Sequence, residues 1–129
     1  MTVSTSTAVK NARLDAISTS WGATPKLRVY SGTPPANAGA SLSGNTLLVE
    51  VTPAPAAASG ATKDMLGGVK TNTAAAAGTA SFYRVYDSPG TNCHEQGTVG
   101  TSGTDLTIDN TTIALSQTVN FNTFTKTEP

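Results

Sequence analysis

The chain is 129 residues long and carries 8 basic and 8 acidic side chains, for a formal net charge of zero. No segment concentrates lysine or arginine, so nothing would neutralise a row of phosphates, which argues against a nucleic-acid partner. No apolar run approaches the ~18 residues of a membrane-spanning helix, and the opening stretch MTVSTSTAVKNARLDAI lacks the basic-then-apolar pattern of a secretory signal.

The length suits one domain with a modest core. Hydrophobic residues are 37% of the chain but many are alanine, aromatics are 5% and charged residues 12%, so serine, threonine, 12 glycines and 7 prolines fill the remainder. Threonine is β-branched and fits a pleated surface, so strands with polar faces are expected. One cysteine cannot close an internal disulfide, which fits synthesis in a reducing cytoplasm.

In chain order, residues 1–8 read as a flexible N-terminal arm and 9–129 as a single β-rich domain. AVKNARLDAISTSW (8–21) is the helix candidate, with Leu14, Ile17 and Trp21 on one face, Ser6 or Thr7 as cap and Gly22 as its end. Trp21 is expected to anchor it on the core. From Lys26 the period changes to two: KLRVYSG (26–32) sets Leu27 and Val29 against Lys26, Arg28 and Tyr30, and TLLVEVTP (46–53) is a second strand closed by Pro53. Residues 54–78 show no clean period and read as a long loop with a strand near 68–73.

TASFYRVYD (79–87) is the strongest strand, followed by a turn at Ser88–Thr91, a return strand CHEQGTVG (93–100), a short strand within 103–109 and a last one over 117–128. In that last strand Val119, Phe121 and Thr123 share a face and Phe124 is expected on the opposite one. The pattern predicts a mainly β fold, an antiparallel β-sandwich or jelly-roll-like barrel with one short N-terminal helix.

The only histidine, His94, stands between the only cysteine, Cys93, and Glu95. Neighbours in a strand point to opposite faces, so they are not expected to form a thiolate–imidazole pair. One His and one Cys fall short of a structural zinc site. Asp87, Asp105 and Asp109 offer oxygens to calcium but lack the spacing of an EF-hand loop, so solvated strand-end carboxylates are the expectation. Neither 68–78 nor 97–103 ends in the GK[ST] of a phosphate-binding loop, and no cofactor motif is present. On the aromatic strand Phe82, Arg84 and Tyr86 face one way and Tyr83, Val85 and Asp87 the other. Neither face is plainly dry or plainly wet, which suits either a two-sided central strand or a subunit contact.

Taken in order, NARLDAI (11–17), LRVYSGTPPA (27–36), TLLVEV (46–51), GTASFYRVYDSPG (78–90), GTVGTSGTDLTID (97–109) and ALSQTVNFNTFTKTE (114–128) resemble a family of small structural proteins of tailed-bacteriophage and prophage virions. The resemblance runs from Asn11 to Glu128 and is weakest over 54–77. It implies a capsid decoration (cement) protein on the outer head surface, assembled in the host cytoplasm, partnered by the major capsid protein and by itself as a homotrimer. No enzymatic activity, cofactor, nucleic acid or membrane is implied. Subunit or capsid contacts are expected at Val3 in the arm and Val9 just after it, at Ala57 and Met65 in the long loop, and at Tyr83, Arg84 and Tyr86. The alternatives are a tail, baseplate or fibre-associated module, a host-surface binder, and a small enzyme using His94.

Overall fold

The computed structural model describes residues 3–128; Met1 and Thr2, the tip of the expected arm, and Pro129 lie outside the described residues. The helix α1 spans Thr7–Trp21, so Thr7 and Ala8 belong to it and not to the arm. Ser6 sets that boundary, because its hydroxyl accepts the Val9 N–H at 3.3 Å and so satisfies one of the free donors of the first turn. Gly22 closes the other end at φ +89°, with its N–H on the Thr19 carbonyl.

Among the described residues ten strands follow: β1 (Lys26–Ser31), β2 (Leu47–Val51), β3 (Thr62–Asp64), β4 (Lys70–Thr73), β5 (Gly78–Tyr86), β6 (Cys93–Gly100), β7 (Leu106–Ile108), β8 (Thr112–Ile113), β9 (Thr118–Thr123) and β10 (Thr125–Thr127). The main sheet runs β2-β1-β5-β6-β7-β9-β4, with β8 on the start of β5, and β10 pairs with β3 in a small second sheet. The main sheet curls until β2 and β4 approach each other, giving a nearly closed barrel. The mainly β, barrel-like class with one N-terminal helix is thus what the chain adopts. The pairing is antiparallel except between β6 and β7, where Val99 and Gly100 lie parallel to Leu106 and Thr107. A parallel pair normally needs a long crossover. Here a short hook suffices, because Asp105 accepts both the N–H (2.9 Å) and the hydroxyl (3.0 Å) of Thr98 and folds the chain back at once.

The barrel interior holds Leu27, Val29, Leu48, Val49, Tyr83, Val85, Leu106, Ile108, Val119 and Phe121. Trp21 closes one part of it, stacked on Phe124 with ring centres 6.1 Å apart, while Tyr83 meets Phe124 edge-on at 4.9 Å. Phe124 therefore does not take the opposite face: it shares a core with Val119 and Phe121, and Thr123 is exposed. The chain leaves its strand geometry at residue 124 between β9 and β10, which breaks the alternation and re-aims the ring.

The 54–78 stretch is not an open loop. It contains β3 and β4, and residues 54–56 run beside β3 through Ala54 N–H to Leu66 O (2.9 Å) and Ala56 N–H to Asp64 O (3.0 Å). Met65 and Leu66, adjacent in sequence, are both buried. Two neighbouring apolar residues fit neither the helical nor the strand period, so the segment carries no periodic signal.

Helix α1 buries only Leu14 and Trp21 fully, and polar contacts fasten it as well. Asp15 accepts from the buried Lys63 ammonium at 2.8 Å and from the Ala58 N–H at 2.9 Å, and Asn11 accepts the Ala61 N–H at 2.9 Å. The hydrogen bond from Lys63, then that from Ala58, holds the Asp15 carboxyl below the usual aspartate value, against a smaller opposing effect of burial. A carboxyl with a lowered pKa in the folded state adds stability above its unfolded pKa, and that share is lost as pH falls through the folded value. Acidification below about pH 4 is therefore expected to loosen the helix contact, and Asp15→Asn to flatten that part of the acid profile. Hydrogen exchange of the Ala58 and Ala61 amides against pH checks it; identical profiles for both proteins refute it.

Candidate functional site

Cys93, His94 and Glu95 are parted by the register of β6. Val85 lies opposite Glu95 and Tyr86 opposite Cys93, so His94 has no residue across from it and the strand bulges there. The Cys93 side chain packs against the outer cluster of Tyr30, Phe82 and Tyr86, His94 is exposed, and Glu95 turns to the other side. Burial pushes the Cys93 thiol up and so disfavours its thiolate, an effect only partly offset by the charge of Arg84. Glu95 instead accepts the Tyr83 hydroxyl at 2.6 Å and pairs with Lys126 at 2.8 Å. Burial, then the charge of Glu95, raises the Tyr83 phenol far above its ordinary value, so it stays protonated and donates.

The aspartates are occupied one by one. Asp105 forms the hook with Thr98, Asp109 accepts from both the backbone and the side chain of Asn120, and Asp87 accepts from Thr91 and Asn92 in the turn it precedes. Among the described residues no three His, Cys, Asp or Glu side chains gather where an ion could sit.

Over Phe82–Tyr86 both faces of β5 are buried, for different reasons. Tyr83 and Val85 face the barrel interior, while Phe82 and Tyr86 face outward into a second cluster with Tyr30, Leu42 and Leu47. That outer cluster exists because the connection between β1 and β2 folds back over the sheet, where Tyr30 stacks on Phe82 at 5.4 Å. Arg84 pins the connection: its Nη2 donates to the carbonyls of Asn37 (3.2 Å) and Ala40 (2.6 Å), and its Nε to Gln96 Oε1 at 2.9 Å. Gln96 in turn donates to the Pro35 carbonyl at 2.8 Å. Tyr83 and Met65 are therefore enclosed within the chain, and Arg84 and Tyr86 are nearly so, reaching the outside only at the wall of a hollow beside the folded-back connection. Tyrosine and arginine are frequent at interfaces, but the same residues serve equally well under a folded-back loop. Of the expected contact residues, Val3, Val9 and Ala57 are exposed.

The feature that sequence reading missed is the seam of the barrel. No ladder joins β2 to β4 among the described residues. The two approach at one end, where the Ala75 N–H reaches the Leu48 carbonyl at 2.7 Å. Further along, Asn72 spans the gap with its side chain: Nδ2 donates to the Glu50 carbonyl at 2.6 Å, and Oδ1 accepts the Thr73 N–H at 2.8 Å. A cleft of 620 Å³ runs along this seam, lined by Leu47 and Val49–Thr52 on one side and by Lys70–Thr73 and Ala75 on the other. In an antiparallel strand the N–H and C=O of one residue point to the same side. The outward carbonyls of Leu48 and Glu50 thus place the Glu50 N–H in the seam, and the contact of Ala75 places the backbone of Thr71 there on the facing edge. Short strands, polar side chains and the bridging Asn72 blunt these edges without pairing them. Only KTNT in β4, a threonine-rich stretch beside glycines, hinted at an edge strand in the sequence.

Compared with models of protein families, with characterised proteins and with solved structures, the chain matches none of them.

Proposed function

We propose that this chain is a virion structural protein that decorates and stabilises a bacteriophage capsid by contacts with the major capsid protein and with further copies of itself as a trimer. The observation that supports this reading best is the unclosed seam between β2 and β4. An extended segment from another chain can pair with strand edges that no ladder joins once it displaces the bridging Asn72 side chain, and the backbone then supplies affinity without a chemical site. Val3 is 90% exposed and Val9 44% exposed, which leaves the N-terminal arm and the first helical turn with apolar side chains free for a neighbour. The charge balance and the sequence resemblance fit the same role.

Cryo-electron microscopy of intact particles tests the proposal: density for the chain where capsomers meet on the head is expected, and density confined to the tail overturns it. Deleting residues 1–5 leaves Ser6 as the helix cap, so the melting temperature is expected to hold within about 2 °C. Attachment to particles lacking the protein should fall at least about tenfold, the effect of losing about 1.4 kcal/mol of contact energy. Unchanged attachment rejects the part assigned to the arm.

A further inference from the structure

The Arg84 guanidinium carries a full positive charge at 3% exposure, and no carboxylate comes within 4.0 Å of it among the described residues. Each of its partners is neutral: the amide oxygen of Gln96, the carbonyls of Asn37 and Ala40, and the Tyr86 hydroxyl. Taking a cation out of water without a counter-charge is costly, and neutral acceptors return only part of that cost. The partners are also unevenly distributed. Nε and Nη2 are well bonded, but Nη1, with two N–H groups, has only the Tyr86 oxygen at 3.5 Å, beyond the usual range for such a bond.

Arg84 lines a hollow of 420 Å³ between the folded-back connection at Ala38–Leu42 and the turn at Thr91–Cys93. Tyr86, Asn92 and Cys93 form the rest of its wall on the strand side. Its one neighbouring acid by sequence, Asp87, is already engaged by the Thr91 and Asn92 backbone N–H groups and by the Asn92 side chain at 2.8 Å.

We propose that this hollow is a receptor for a single carboxylate, which docks on Nη1 of Arg84 and supplies the counter-charge the fold omits. The hydrogen bonds that hold Nε and Nη2 fix the guanidinium in place, so the ligand meets a donor that is already oriented, and a carboxylate adds the attraction of opposite charges that the present neutral acceptors lack. The volume admits a small free acid or one aspartate or glutamate side chain of another protein; both present the same group to the arginine. The inference does not depend on the capsid assignment.

Titration with sodium acetate, against sodium chloride at equal ionic strength, provides the test in two readouts. The Arg84 guanidinium resonances should shift saturably with acetate, with a Kd of about 1–10 mM, and not with chloride. The Cys93 thiol, which shares the hollow, should react about threefold more slowly with a disulfide reagent at saturation, because the bound carboxylate offsets the charge of Arg84 that favours its thiolate. N-acetyl-glutamate amide, whose only charge is its side chain, separates the sources. Binding at least as tight as acetate assigns the site to an acidic side chain of a partner, and binding by acetate alone assigns it to a free acid. Arg84→Lys keeps the charge but loses the fork, and should lose the acetate effect. If that variant fails to fold, the wild-type resonances decide. The absence of a saturable shift with either carboxylate, or an equal shift with chloride, overturns the proposal.

Discussion

Replacing Phe124 by alanine is expected to cost about 3–5 kcal/mol of folding stability, the range for emptying a large buried aromatic site. The ring is 1% exposed and joins two parts of the chain that are far apart in sequence. It stacks on Trp21 at the foot of α1, meets Tyr83 of the central strand edge-on, and has the Lys126 ammonium 5.5 Å from its centre. Its own carbonyl accepts the Met65 N–H at 2.7 Å, so the backbone there is tied to the small second sheet and cannot easily collapse into the space. Cavities that stay open are the expensive ones. Urea unfolding followed by Trp21 fluorescence reads the effect: the midpoint should drop with an unchanged slope. A loss below about 1 kcal/mol, the average for an ordinary substitution, would show that the ring does not join helix to barrel.

Gly67→Ala should be comparably damaging, by a backbone mechanism. Gly67 sits at φ +74°, and a methyl group added there would run into the Ala54 carbonyl, whose carbon would lie at 2.8 Å. That carbonyl belongs to the 54–56 segment bonded to Leu66, so no side-chain rotation can relieve the clash. The turn itself is held by the Asp64 carboxylate, which accepts the N–H groups of Leu66 (2.9 Å), Gly67 (3.2 Å) and Gly68 (3.2 Å). The expected loss is on the order of 4 kcal/mol, the level at which a named steric mechanism is required. Gly68 provides the internal control. It has φ +107° but nothing within 4 Å of an added Cβ, so Gly68→Ala should cost only the conformational share, about 1–2 kcal/mol. Equal losses at the two positions would mean that the approach of Ala54 is unimportant.

The contrast between these glycines, identical neighbours in the sequence, illustrates where local reading stops. Local signals determined much of this protein. Ser6 and Gly22 mark the ends of the helix because capping is a matter of a few adjacent donors and acceptors. Leu27 and Val29, and the aromatic run from Phe82 to Tyr86, announce strands because alternation is a property of the strand alone. The separation of Cys93 from His94 also followed from strand geometry, although the bulge at His94 altered how it is achieved.

What lies on each face of those strands was decided elsewhere. Tyr83, Arg84 and Tyr86 looked available for a neighbour because a strand with polar and aromatic residues on both faces has no obvious inside. The connection between β1 and β2, rich in Ala, Gly, Ser and Pro, gave no sign that it would fold over Tyr30 and Phe82 and be locked there by a buried arginine. Met65 and Phe124 entered the core for a similar reason: each lies at a break in regular structure, where side-chain direction depends on which distant backbone bonds form, here with one another. The seam between β2 and β4 is the extreme case, since it depends on how far the whole sheet curls before its two ends meet. Periodicity and capping are short-range and survive in the string of residues, whereas closure, burial of a charge and the gap left at an edge arise from contacts between segments far apart in the chain, and only the folded structure sets them.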